Sequence, residues 1–94
     1  MLEKLNMKAI VFSRHAKDQL ADRGATLREV EEAIREGERT PAKRGRLAFR
    51  KNFPFQRSWK GIYYEGKQIF PIVAEEPDRL VVVTVYVFYI GAKR

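Results

Sequence analysis

Leu27, Val30, Ala33 and Ile34 recur at the spacing of one helical stripe, whereas the second half of the chain alternates apolar and polar residues in strand fashion. Ser13, with Phe12 before it, stands where an N-cap is wanted and predicts a helix to about Arg23, closed by Gly24 as a left-handed residue. Thr26 and Glu29 have capping-box spacing and open a second helix, which Gly37 ends. Residues 38–46 read as a polar loop broken by Pro41 and Gly45. Strands are expected at Leu47–Phe53, Arg57–Glu65, Lys67–Glu75 and Leu80–Ile90. Tight turns are expected at Glu65-Gly66 and at Glu76-Pro77-Asp78-Arg79. Pro71 cannot donate to a ladder, which puts its strand at an edge or a bulge there. Leu80–Ile90 is apolar on both faces: Val81, Val83, Val85 and Val87 on one, and Leu80, Val82, Thr84, Tyr86 and Phe88 on the other. That predicts an interior strand covered on both sides, in which an Asp at Val83 would cost several kcal/mol. Residues 1–11 carry a weaker pattern, that of a short strand or an ordered tail. The expected fold is α+β, with two N-terminal helices packed on an antiparallel four-stranded meander sheet.

The chain has 94 residues, which bounds the expectation to one domain over 1–94. It has no cysteine, and this excludes a disulfide framework, a thiolate nucleophile and a cysteine-ligated metal. No apolar run approaches the ~18 residues of a membrane-spanning helix, and no signal-peptide core is visible. A cytoplasmic protein with no membrane partner is expected. One histidine and scattered acids offer no metal constellation, and no Gly-rich phosphate loop is present. Neither metal nor cofactor is expected.

Charge changes the picture. Between Arg39 and Tyr64 lie eight Lys or Arg residues, six aromatics and no Asp or Glu, so this segment alone carries more than the whole chain's net +7. Clustered cations attract a polyanion and release its counterions, and exposed rings stack on bases. Arg44, Arg46, Lys51, Trp59, Lys60 and Tyr63 are therefore the candidate nucleic-acid contacts, together with Arg50 and Arg57. The last two fall on strands expected to pair, where preplaced guanidinium groups would stabilise the charge of a phosphorane. Arg44 and Arg46 read as peripheral phosphate contacts. His15 is the side chain whose ordinary titration range lies nearest neutrality. Ser13 as cap puts it in the first helical turn, beside N–H groups that suit a phosphate, with its face at the margin of a helix–sheet cleft. Thr84 and Tyr86 share one face of the last strand, where two hydroxyls could orient a phosphate or a 2′-hydroxyl.

Phe12-Ser13-Arg14-His15-Ala16, then Leu20, Arg23 and Gly24, then Glu29, Val30 and Ile34 resemble the opening of a family of small prokaryotic proteins of unknown function. Its pattern is F-S-x-H-A, R-G and an E-V-x-x-A-I helix ending in glycine. The closing Val81-Val82-Val83-Thr84-Val85-Tyr86 is similar to that family's last strand. The family is similar in turn to the RelE-like toxins, which group with barnase-like and EndoU-like ribonucleases. The resemblance implies a RelE-like fold of two helices on an antiparallel sheet. It also implies metal-independent RNA cleavage by the substrate's own 2′-hydroxyl. His15 is the position it marks for catalysis, with Thr84 as a final-strand polar group, and Arg23 matches the R-G motif.

Three readings follow. The chain is a small endoribonuclease, as the toxin of a toxin–antitoxin pair whose acidic antitoxin covers the basic surface. Alternatively it is a non-catalytic nucleic-acid-binding module. The third reading is a protein-interaction or homodimer domain using Trp59, Phe53 and Phe55. Only the first requires proton transfer by His15, and only the first two predict steep salt dependence.

Overall fold

Ser13 and Thr26 cap the two helices as the spacing requires. In a computed structural model, which describes residues 8–93, the Ser13 hydroxyl accepts from the Ala16 amide at 3.0 Å. Thr26 and Glu29 bond each other's backbone amides in a full capping box. The helices are α1 (Arg14–Arg23) and α2 (Leu27–Glu36), and Gly24 ends α1 in the left-handed region at φ 77°. A Cβ on Gly24 would collide with the Tyr89 hydroxyl, so the close approach as well as the dihedral requires glycine.

The strands are β1 (Ala9–Phe12), β2 (Glu38–Pro41), β3 (Leu47–Trp59), β4 (Ile62–Glu75) and β5 (Arg79–Lys93). They form one sheet in the order β1-β5-β4-β3-β2. The α+β class holds, but the sheet is mixed and five-stranded rather than an antiparallel four-stranded meander. β1 runs parallel to β5, from Ala9↔Arg79 to Phe12↔Val82. Of the segment expected as a short strand or tail, residues before Lys8 lie outside the described residues. The expected 38–46 loop instead supplies edge strand β2 and a tight turn at Lys43–Gly45.

The hairpin turn is also elsewhere. Lys60 and Gly61, at φ 50° and 87°, form a two-residue loop closed by the Trp59↔Ile62 pair, the backbone that a right-twisted hairpin favours. Glu65-Gly66 is not a turn. Gly66 lies inside β4 opposite Pro54 and Ile90, and a Cβ there would press on the Phe53 carbonyl at 3.0 Å. Glycine here serves close backbone approach. The residues expected as one strand, Arg57–Glu65, are therefore split across the tip, and their expected division into two faces does not hold.

Two bulges explain the remaining departures. Between Pro54 and Arg57 the β3–β4 register slips, and Gln56 takes φ 52°. On β5 the pairs jump from Ile72↔Thr84 to Val73↔Val82, leaving Val83 as the extra residue. The side-chain alternation inverts there, so Leu80, Val82 and Val85 all fall on the helix side and are fully buried. Val83 is only half-buried, contrary to expectation. Pro71 sits inside the central strand β4, and the nearby bulge is carried by its neighbour.

Helix residues Ala16, Val30, Ala33 and Ile34 pack with Phe49, Ile69, Val73, Leu80, Val82 and Val85 as the core. Each large aliphatic buried here contributes about 1.5–3 kcal/mol. Among the described residues the opposite face of the sheet has no helical cover, and Tyr86, Phe88 and Ile90 are 42%, 50% and 41% exposed on β5. β5 is thus covered on one side only.

Where β1 stops, α1 takes over as neighbour of β5. The buried Gln19 side chain accepts from the Val85 amide at 2.8 Å. Arg23 donates to the Val85 carbonyl at 2.9 Å, and the Tyr89 hydroxyl donates to the Arg23 carbonyl at 2.8 Å. Gln19 and Arg23 thereby satisfy the Val85 backbone groups that a further strand would otherwise bond, and Tyr89 satisfies a carbonyl at the end of α1.

Candidate nucleic-acid interface on the open sheet face

The β2–β3 turn is short and tightly bonded. The Ala42 amide donates to the Arg46 carbonyl at 2.8 Å and the Arg46 amide to the Lys43 carbonyl at 3.3 Å. Closing it puts Arg44 in the left-handed region at φ 64°, ψ 34°, a conformation costing a non-glycine residue on the order of 1 kcal/mol. The turn carries three cations, Lys43, Arg44 and Arg46, to the rim of a cleft of about 440 Å³. Its floor comes from the uncovered sheet face: Ala48 of β3, Phe70 and Ile72 of β4, Thr84 and Tyr86 of β5. None of the three rim cations forms an ion pair among the described residues.

Beyond the cleft the floor continues as an aromatic patch. Tyr86 stacks on Phe88 with centroids 6.2 Å apart. Phe70 meets both rings edge-on at 6.4 Å and 5.9 Å. Tyr86 also forms a wall of a second cleft, of about 300 Å³, with Asp22 and Arg23 of α1 and with Trp59, Lys60 and Tyr89. The Arg23 guanidinium lies 5.4 Å from the Tyr86 ring centroid. In that second cleft Trp59 stacks on Tyr89 at 5.2 Å, and Phe55 and Tyr64 close on the same ring. Burial, reinforced by the charge of Glu29, pushes the Tyr89 hydroxyl's pKa up.

The structure brings together only some of the candidates. Thr84 and Tyr86 line the first cleft together with Arg44 and Arg46. Trp59 and Lys60 meet in the second. Arg50 lies farther along β3 and is bound to Glu38 at 2.9 Å. Arg57 stands 4.7 Å over the Phe55 ring. Lys51 projects to the helix side, between Glu32 and Glu36, whose hydrogen bonds raise its pKa, Glu32 first. Tyr63 is exposed near the sheet end, opposite Lys93. His15 is exposed on the first turn of α1 and lines neither cleft. The helix–sheet cleft expected beside it is filled by Ala16 and Gln19, both buried.

Phe70 and Lys67 are among the residues that sequence reasoning passed over. Phe70 lies in the cleft floor, and the pairing Phe70↔Tyr86 puts it there. Lys67, 4% exposed, donates to the Gly24 carbonyl at 2.7 Å and to Glu29 at 3.0 Å. No spacing in the chain marks either one. Among the described residues no group of three or more His, Asp or Glu is placed to hold a metal ion. Among the described residues no helix is long and apolar enough to cross a membrane.

A family model for a domain of unknown function, DUF4258, matches residues 12–87. The chain belongs to the DUF4258 family. The DUF4258 region runs from the last residue of β1 to the middle of β5, so it holds His15, both helices, the β2–β3 turn and every residue of the first cleft. No curated protein and no solved structure matches the chain significantly.

Proposed function

We propose that this DUF4258 protein is a RelE-like endoribonuclease that binds single-stranded RNA across the open sheet face. One observation carries the reading: three cations that form no ion pair among the described residues and two strand hydroxyls converge on one cleft beside exposed aromatic rings. A phosphate seated among Lys43, Arg44 and Arg46 leaves neighbouring bases over Phe70, Tyr86 and Phe88, which suits the cation-plus-stacking mode of single-strand binding. The cleavage step is attack of the 2′-oxygen on the adjacent phosphorus with departure of the 5′-oxygen. It leaves a 2′,3′-cyclic phosphate and a 5′-hydroxyl. The guanidinium groups stabilise the added negative charge. In this reading water takes the proton of the 2′-hydroxyl, the Tyr86 hydroxyl donates its proton to the leaving 5′-oxygen, and the phenolate regains a proton from solvent. An acidic antitoxin covering the same cations, in the cytoplasm, belongs to this reading.

The test is an oligonucleotide assay with chelator present. RNA should be cut to cyclic-phosphate ends, and one 2′-deoxy substitution should block cutting at that site. Tyr86→Phe should slow cleavage about 10²-fold or more, the usual range for a proton-transfer group, with little loss of binding. His15→Ala should leave the rate near that of the parent; a collapse of the rate there would move the chemistry to α1. A second reading, non-catalytic binding on this face, is favoured by one fact: neither imidazole nor carboxylate lines the first cleft. Salt-sensitive binding with no cleavage of any RNA would establish it.

A further inference from the structure

The second cleft differs from the first in one respect that decides its ligand. Besides the cations Arg23 and Lys60 it contains a carboxylate, Asp22, one residue before the end of α1. Asp22 forms no ion pair among the described residues. A free carboxylate repels phosphate but accepts hydrogen bonds from N–H donors. The other wall is Trp59. Tyr89 stacks on one face of its indole, with the planes 15° apart. The Lys60 ammonium lies over the ring at 5.5 Å from the centroid. Lys60 belongs to the two-residue hairpin tip, and its flexible stem can swing aside for a flat ring. The cleft therefore offers an aromatic platform and a hydrogen-bond acceptor, the two elements that read a nucleobase. Tyr86 lines both clefts, so a base here belongs to a nucleotide next to the phosphate held by Arg44 and Arg46.

We infer that the second cleft is a guanine-reading subsite, in which the base stacks on Trp59 and donates its N1–H and N2–H to the Asp22 carboxylate. Guanine alone among the four bases presents two adjacent donors to a bidentate carboxylate. Arg23 is held on the Val85 carbonyl, whereas Lys60, displaced from the indole, is free to meet the nucleotide's own phosphate. The inference rests on the RNA-binding reading above and adds to it the base that is preferred.

Trp59 is the chain's single tryptophan, so its fluorescence reports this cleft directly. The experiment titrates the whole protein at low salt with a uridine oligomer and with the same oligomer carrying one guanosine. The guanosine oligomer should bind at least about fivefold more tightly, as a bidentate base contact provides, and should quench Trp59. Asp22→Asn, an exposed change whose melting should match the parent, presents an amide N–H₂ to the base donors. It should abolish the preference and leave affinity for the uridine oligomer intact. Equal affinity for the two oligomers, preference for an oligomer carrying cytidine instead, or a guanosine preference that survives in Asp22→Asn would overturn the subsite while RNA binding stands. Absence of binding to either oligomer would overturn the RNA reading itself, and the subsite with it.

Discussion

Lys67 shows how one side chain ties three elements together. It stands on β4, ends on the last carbonyl of the α1 cap, and pairs with Glu29 of α2, with the Phe55 ring 5.3 Å from its ammonium. A buried ammonium is tolerated only where each donor finds a partner. Lys67→Met keeps the stem volume but removes those bonds. Hydrogen bonds to charged groups are worth about 1.5–3 kcal/mol each. Glu29 is partly exposed and rehydrates, so the net loss should be about 2–3 kcal/mol. Urea unfolding measures it; an unchanged midpoint would mean the bonds contribute nothing. Lys67 was illegible in the sequence because a lysine in a strand is usually solvated, and only the approach of the Gly24 carbonyl makes it interior. Arg44 and Arg46 were legible as cations, but their meeting with Thr84 and Tyr86 depends on β4 lying between distant segments.

At the scale of elements, both helices were readable because caps and stripes are local. Ser13, Gly24, Thr26, Glu29 and Gly37 each act within a turn of their own position. The strands were readable as apolar runs but not in their bounds or faces. A bulge changes which residues point inward and leaves no local mark, so alternation counted from Leu80 fails after Val83. The same runs hid the turn, since Glu65-Gly66 and Lys60-Gly61 both carry a glycine after a polar residue, and only pairing decides between them. This inversion makes a paired prediction. Val85→Asp buries a carboxylate among core residues and should cost more than about 4 kcal/mol, enough to unfold a marginal domain. Val83→Asp sits on the half-buried bulge and should cost clearly less, since its carboxylate can turn to water. Thermal unfolding of the two variants decides the matter; equal losses would place the bulge elsewhere.

For the whole molecule the question is which of the clustered cations a polyanion meets. Counted along the chain, eight Lys and Arg residues stand between Arg39 and Tyr64. Folding divides seven of them, all but Arg39. Arg50 is bound to Glu38, Lys51 to Glu32 and Glu36, and Arg57 and Lys60 lie over aromatic rings. Lys43, Arg44 and Arg46 alone line the first cleft. Exposed ion pairs such as Arg50–Glu38 are weak but still reduce the field a phosphate feels from that arginine. Counterion release gives a slope of about −0.7 in log affinity against log salt for each single-strand phosphate neutralised. For a uridine oligomer, three cleft cations therefore predict a slope of about −2, whereas all eight acting together would give about −5.6. Removing Arg44 and Arg46 together should flatten the slope to about −0.7, while removing Lys51 should leave it unchanged, because its charge already serves α2. Arg44→Gly adds a control within the same series. It relieves the left-handed backbone and should hold or raise the melting temperature while weakening binding, which separates loss of charge from loss of fold. A steep slope that survives loss of both arginines would show that RNA follows the outer strand cations rather than the cleft.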